Sequence, residues 1–66
     1  MGFTISIGDW REHFETREQV NDRLLLLNRG NMPMLIYTSP NGTEHYADFL
    51  RKIVTVTPDP PEIKEP

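Results

Sequence analysis

The sequence predicts a small α+β domain: one main helix packed on a mostly antiparallel sheet, in the order β-α-β-β with a further strand at the end. Three observations support this class. Apolar residues alternate with polar ones near the start, a helical apolar pattern follows, and a turn motif then separates two runs rich in β-branched and aromatic residues. A chain of 66 residues has room for one core. We therefore expect one domain over residues 1–57 and a disordered, acidic, Pro-rich tail over residues 58–66.

The first predicted element is a short strand. Apolar and polar residues alternate through residues 3–7, which is typical of a half-buried strand, and Gly8 then breaks the pattern. Trp10 and Phe14 are four residues apart, as on one face of a helix. We therefore predict a short turn or helix over residues 9–14.

The main helix is predicted from about residue 16. Thr16 and Gln19 have the spacing of a capping box, in which each side chain accepts a hydrogen bond from the other's backbone. The apolar positions that then share one helical face are Val20, Leu24 and Leu27. Gly30 stands where a left-handed C-terminal cap is expected. The helix should end near residue 28 or 29.

A β-hairpin is predicted after the helix. Residues 34–38 are largely apolar, and residues 39–42, Ser-Pro-Asn-Gly, favour a tight turn. A type I turn with a bulge at its glycine places Ile36 opposite Tyr46, whereas a two-residue turn places Tyr37 opposite Tyr46. The proline in the turn favours the first register.

The end of the chain contains a last strand and the tail. Residues 48–53 fit either a strand or a helical turn, but residues 53–57 are β-branched throughout and predict a strand that Pro58 ends. The tail holds four of the six prolines and a single aliphatic residue, Ile63. It buries too little apolar surface to offset the entropy lost on ordering, so we expect it to be disordered.

Composition excludes several classes of function. Without cysteine the chain has neither disulfides nor thiolate metal sites, which agrees with a cytoplasmic location in the producing or host cell. The net charge is -3 and the only adjacent basic pair is Arg51-Lys52, so a nucleic-acid partner is not expected. The longest apolar run, residues 24–27, is too short to cross a bilayer. We expect no membrane partner.

The sequence offers little for catalysis or metal binding. The groupings of histidine with acids are His13 near Asp9 and Glu12, and His45 near Glu44 and Asp48, and neither has the ligand spacing of a metal motif. A small enzyme or metal site that uses both histidines would require the start of the helix and the hairpin to meet. We expect no catalytic residue, no metal and no cofactor, and keep that site as an alternative.

More apolar surface is present than one helix on one sheet can bury. In the leucine run of residues 24–27, Leu25 and Leu26 point away from the face of Val20. On the hairpin, Met34 and Ile36 are predicted on one sheet face with Leu35 and Tyr37 on the other, and one helix covers only one face. Three covers are conceivable: the segment of Trp10 and Phe14, the tail through Ile63, or a partner. The alternative is one ordinary, rather apolar core.

These observations predict a small protein-binding module without catalytic activity. The partner is another protein, either a second copy or a foreign chain whose activity the module modulates, as small phage proteins do for host enzymes. The alternative is a structural subunit of a larger assembly such as a virion. The residues predicted to bind the partner are Leu25, Leu26, Leu35, Tyr37, Tyr46 and Arg51.

Overall fold

The computed structural model describes residues 2–60 as one helix packed on a five-stranded antiparallel sheet, which confirms the predicted α+β class. The elements in chain order are β1 (Phe3–Ile7), β2 (Trp10–Phe14), α1 (Arg17–Leu27), β3 (Met34–Thr38), β4 (Glu44–Ala47) and β5 (Ile53–Pro58). The strands lie in the order β2-β1-β5-β4-β3, so β2 and β3 form the two edges of the sheet. Ile63 and the rest of the predicted tail after residue 60 lie outside the described residues.

The segment after β1 is a strand, and the prediction of a turn or helix over residues 9–14 is wrong. β1 and β2 form a hairpin in which Ile7 pairs with Trp10 across a two-residue loop. Gly8 begins that loop with a φ of 56°, a left-handed conformation that glycine adopts without a steric cost. Trp10 and Phe14 are an even number of residues apart, so their spacing fits one face of a strand as well as one face of a helix.

Helix α1 begins and ends by the local signals in its sequence. The Oγ1 of Thr16 accepts a hydrogen bond from the Gln19 amide at 3.2 Å, and the Gln19 side chain accepts one from the Thr16 amide at 3.3 Å. At the other end Arg29 and Gly30 both have positive φ, and the Gly30 amide donates to the Leu25 carbonyl at 2.6 Å. This bond satisfies a carbonyl that has no partner within the helix, as in a Schellman motif.

The turn between β3 and β4 follows the register that its proline favours. The Gly42 amide donates to the Ser39 carbonyl at 2.9 Å, and the Ser39 amide donates to the Thr43 carbonyl at 2.8 Å. Ser39 and Thr43 therefore face each other across the turn. Gly42 has a φ of 92°, which closes the turn.

A bulge within β3 then changes the register further along the hairpin. Tyr37 pairs with His45, but the next pair is Leu35 with Tyr46, and Ile36 is the extra residue between them. Tyr46 therefore faces neither Ile36 nor Tyr37, the two alternatives that the turn sequence suggested. The bulge lies in the middle of the strand, where turn geometry does not set the register.

Residues 48–52, for which the sequence allowed a strand or a helical turn, form the turn that connects β4 to β5. The Asp48 carboxylate accepts hydrogen bonds from the amides of Leu50 and Lys52, each at 2.8 Å. Arg51 has a φ of 61°, and Ile53 begins β5. At its other end β5 extends to Pro58, which pairs with Phe3.

The core lies between α1 and the middle of the sheet. Its buried residues are Ile5, Val20, Leu24, Tyr46, Val54 and Val56, with Phe3, Ile7, Phe14 and Leu27 packed around them. Five strands span about 19 Å between the two edges, and a helix is only about 10 Å across. Helix α1 lies over β1 and β2 and leaves the β3 end of the sheet uncovered. At eleven residues it is too short to span a membrane, and no other helix occurs in residues 2–60.

Candidate functional site

The most exposed apolar surface in residues 2–60 is the edge strand β3. All five of its residues are exposed, and the exposed fraction is 75% for Met34, 51% for Ile36 and 55% for Tyr37. Its outer side pairs with no other described strand. We call Met34, Leu35, Ile36 and Tyr37 the β3 edge.

The residues of the β3 edge lie on both faces of the sheet, and the bulge decides which of them share a face. Leu35 pairs with Tyr46 and lies on the face that α1 occupies, whereas Tyr37 pairs with His45 on the opposite face. The rings of Tyr37 and His45 stack in parallel, with centroids 4.3 Å apart. The prediction that Leu35 and Tyr37 share a face is therefore wrong, because the extra residue shifts the alternation by one position.

Met34 begins a second apolar row on the face without the helix. It pairs with Ala47, which pairs with Ile53 on β5. Met34 and Ile53 are both exposed. Sequence reasoning placed Ile53 in a strand but missed it as a surface residue. Alternation with the buried Val54 was the signal that could have revealed it.

The β3 edge is also free of charge. No charged residue occurs between Arg29 and Glu44, a segment that includes the whole of β3 and the turn after it. The opposite edge, β2, presents Arg11, Glu12 and His13 in succession. Charged side chains on an edge strand oppose pairing with a further strand, so only β3 is left open to such pairing by its side chains.

Tyr46, one of the predicted binding residues, belongs to the core instead. Its exposed fraction is 5%, and its hydroxyl donates to Glu44 Oε1 at 2.8 Å and accepts from Arg17 Nη2 at 3.0 Å. Arg17 and Glu44 also form an ion pair at 2.6 Å. Burial, reinforced by the hydrogen bond to Glu44, raises the pKa of Tyr46. Tyr46 thus joins α1 to β4 and is not available to a partner.

The other predicted binding residues lie apart from one another. Leu26 on α1 is 76% exposed, but it lies on the β2 side of the helix, and Leu25 is half-buried. Arg51 is exposed in the loop after β4, at the end of the sheet where β3 begins. The structure therefore keeps Leu35 and Tyr37 together on β3, places Arg51 in the loop between β4 and β5, and leaves Leu26 near the opposite edge of the sheet.

Of the three segments or molecules that could cover the surplus apolar surface, the structure excludes one for β3. Trp10 and Phe14 belong to β2, at the opposite edge of the sheet, so they do not cover β3. Exposed apolar residues that the sequence analysis did not single out lie before β3 and in the loop after β4: Met32, Phe49 and Leu50. Within residues 2–60 the β3 edge has no cover.

The two histidines occupy separate strands. His13 on β2 and His45 on β4 have β1 and β5 between them, a separation of about 14 Å at the usual strand spacing. A site that uses both is therefore not formed, and residues 2–60 contain no group of three potential ligands placed to hold a metal ion. The start of the helix does meet the hairpin, through Arg17, which contacts Glu44 and Tyr46 on β4, but neither histidine takes part in this contact.

Each histidine instead has its own partner. His45 Nε2 lies 2.8 Å from Ser39 Oγ, but no hydrogen bond to its other ring nitrogen is present in the described part of the chain. His13 Nε2 lies 2.9 Å from Asp59 Oδ2. The Gly2 amide donates to the same carboxylate at 3.0 Å, and the Asp59 amide donates back to the Gly2 carbonyl at 2.8 Å. The hydrogen bond with His13 is the main cause that lowers the pKa of Asp59.

A depression of about 450 Å³ lies between β2 and α1. Five of the seven residues that line it are polar or charged; the seven are His13, Phe14, Glu15, Gln19, Asp22, Arg23 and Leu26. Arg23 is already paired with Glu12 at 3.3 Å and lies over the ring of Phe14. His13, also in the lining, contacts Asp59, and the depression is at the opposite edge of the sheet from β3.

No protein family model matches this chain, and no curated protein or solved structure matches it either. The candidate surface therefore rests on the geometry of residues 2–60 alone.

Proposed function

We propose that this chain is a protein-binding module whose contact surface is the β3 edge. The observation that carries the proposal is the combination of an unpaired outer strand, apolar side chains on both of its faces and the absence of charge along it. An edge strand offers a row of backbone donors and acceptors that an incoming strand completes. The partner would cover the apolar surface of β3 that α1 does not reach.

The exposed side chains support this role by their type as well as by their area. Contiguous apolar patches on small proteins usually mark interaction sites, and aromatic residues and methionine are enriched in such sites. Tyr37 is held by its stack on His45, so it loses little rotamer freedom on binding. We therefore propose Tyr37 and Ile36 as the central contacts, with Leu35 and Met34 beside them.

We propose that the chain acts in the cytoplasm of the producing or host cell, because a chain without cysteine has no disulfides that a reducing compartment would break. A modulator of a larger enzyme, such as a small phage protein, would use the β3 edge reversibly. A subunit of a virion or similar assembly would bury the same edge permanently. A chain that stays dispersed when it is expressed alone favours the first role.

Affinity capture with matched variants tests the proposal. The wild-type chain, Ile36→Lys and Leu26→Lys are each immobilised and exposed to an extract of the source cells. Both substitutions place a lysine on an exposed apolar position, but only Ile36 belongs to β3. We expect a captured protein whose retention falls at least tenfold with Ile36→Lys and is unchanged with Leu26→Lys, because lysine on an edge strand opposes strand addition.

Equal retention by all three chains would contradict the proposal, as would a chain that binds neither a second copy of itself nor a foreign protein. Circular dichroism and urea unfolding of Ile36→Lys check that the variant is folded. Tyr37→Lys provides a second variant on the same strand, at the residue that pairs with His45.

A further inference from the structure

We infer that the β3 edge pairs with the β3 edge of a second copy of this chain, in antiparallel orientation about a twofold axis. This inference rests on the proposed function and names the partner of the same surface. Two five-stranded sheets would then join into one continuous sheet, with a helix over each outer half. The contact is isologous, since each copy offers the same strand to the other.

The distribution of charge favours a second copy as the occupant. In an antiparallel pair about a twofold axis, residues near the centre of the strand lie beside their own copies. β3 and its flanks are neutral from residue 30 to 43, so self-pairing brings no like charges together. Self-pairing of β2 would place Glu12, its central residue, beside Glu12 of the other copy. Like charges directly opposite each other destabilise a strand pair.

The side chains of β3 also suit self-pairing. Ile36, Tyr37 and Thr38 are residue types that favour strands, and aliphatic and aromatic pairs across two strands stabilise a sheet. Because the β3 edge has apolar side chains on both faces, a second copy covers exposed apolar surface above and below the sheet. A charged foreign segment would leave its charges beside this neutral strand without partners.

The first test is the mass in solution, by light scattering between about 1 and 100 μM, the range in which weak self-association appears. We expect the wild-type chain to shift from monomer to dimer across this range. Ile36→Lys should weaken dimerisation at least tenfold, whereas Leu26→Lys should dimerise as the wild type does. A wild-type chain that stays monomeric throughout, or a dimer that Ile36→Lys leaves intact, overturns the inference.

A covalent test needs no lysine on the edge and uses the absence of native cysteine. Ile36→Cys gives the chain a single thiol near the proposed twofold axis, so mild oxidation should join two copies by a disulfide rapidly. Leu26 is more exposed than Ile36 but lies near the other edge of the sheet, so Leu26→Cys should link at least tenfold more slowly. Equal rates for the two variants overturn the inference.

The failure of this inference differs from the failure of the proposed function. If the chain is monomeric and its cysteine variants link at equal rates, but capture of a foreign protein still depends on Ile36, the second copy is excluded and the binding module stands. If the chain neither dimerises nor captures a protein through Ile36, both fail.

Discussion

The two edges of the sheet differ in how they are protected against pairing with a further strand. β2 and β3 are both edge strands, and neither pairs on its outer side with a further strand of residues 2–60. β2 lies beneath α1 and presents charged residues, one of which, Glu12, pairs with Arg23 of the helix. β3 lies beyond the reach of the helix and presents none. Of the devices that protect sheet edges, β3 has only its bulge within residues 2–60.

This difference indicates where the molecule can accept a partner. An edge that is charged and covered resists strand addition, whereas an apolar, uncovered edge permits it. A single short helix cannot cover five strands, so one end of such a sheet is always left open. In this chain the edge strand at the covered end carries charges and the edge strand at the open end carries none.

The largest expected effect tests whether the two ends contribute unequally to stability. Leu24→Ala removes a fully buried side chain from beneath α1 and should lower the free energy of unfolding by about 2–5 kcal/mol. Ile36→Ala, on the exposed β3 edge, should cost about 1 kcal/mol or less. Urea unfolding at about 1 μM, where self-association contributes little, measures both. Equal losses would show that the β3 edge belongs to the core.

A smaller effect concerns the link between the covered and open ends. Tyr46→Phe removes a hydroxyl that forms hydrogen bonds with Arg17 and Glu44. The loss should lower the free energy of unfolding by about 1.5 kcal/mol, because hydrogen bonds to charged groups contribute more to stability than those between neutral groups. Tyr37→Phe removes an exposed hydroxyl on β3 and should leave the free energy of unfolding almost unchanged. The same urea measurement compares them. A larger loss for Tyr37→Phe would reverse the assignment of the two tyrosines.

The turns at the two ends should differ more slightly. Gly8 and Gly42 both have positive φ, so alanine at either position should cost about 1 kcal/mol in backbone strain. A β-carbon at Gly8 meets open space, whereas one at Gly42 lies 3.3 Å from Pro58 Cγ. We expect Gly42→Ala to lower the thermal midpoint more than Gly8→Ala does. The reverse order would mean that Pro58 moves aside for the added β-carbon without loss of stability.

The smallest expected effect is a pH dependence at the β2 end. Because the hydrogen bond with His13 lowers the pKa of Asp59 from 3.8, this carboxylate stabilises the folded state at any pH above its unfolded pKa. That contribution is lost as the pH falls through the lower pKa of the folded state. Asp59→Asn should therefore be less stable than the wild type near pH 6, and the two should converge near pH 2. Asp9→Asn, in the β1–β2 loop, is the control.

A difference between wild type and Asp59→Asn that stays constant down to about pH 2 would show that the carboxylate is not the source. Urea midpoints across the acid range measure the effect. Asp59 lies in the predicted tail, yet it contacts Gly2 and His13. This contact joins two regions that are far apart in the sequence, which is why no local pattern reveals it.

Local signals determined the elements whose ends depend on nearby residues. The capping box at Thr16 fixed the start of α1, and the turn at residues 39–42 fixed its hairpin, because both depend on hydrogen bonds between residues a few positions apart. The burial of Val20 and Leu24 and the exposure of Leu26 followed from helical periodicity. The α+β class followed from these patterns together.

Tertiary structure decided what depends on pairing between distant residues. The even spacing of Trp10 and Phe14 is compatible with helix and strand, and only pairing with β1 selects the strand. The bulge at Ile36 places Tyr37 and Leu35 on opposite faces, and the strand order exposes β3 while it buries Tyr46. The sequence alone determined that apolar surface is in excess. Where that excess lies depends on strand order and register, which arise from contacts that no short stretch of sequence contains.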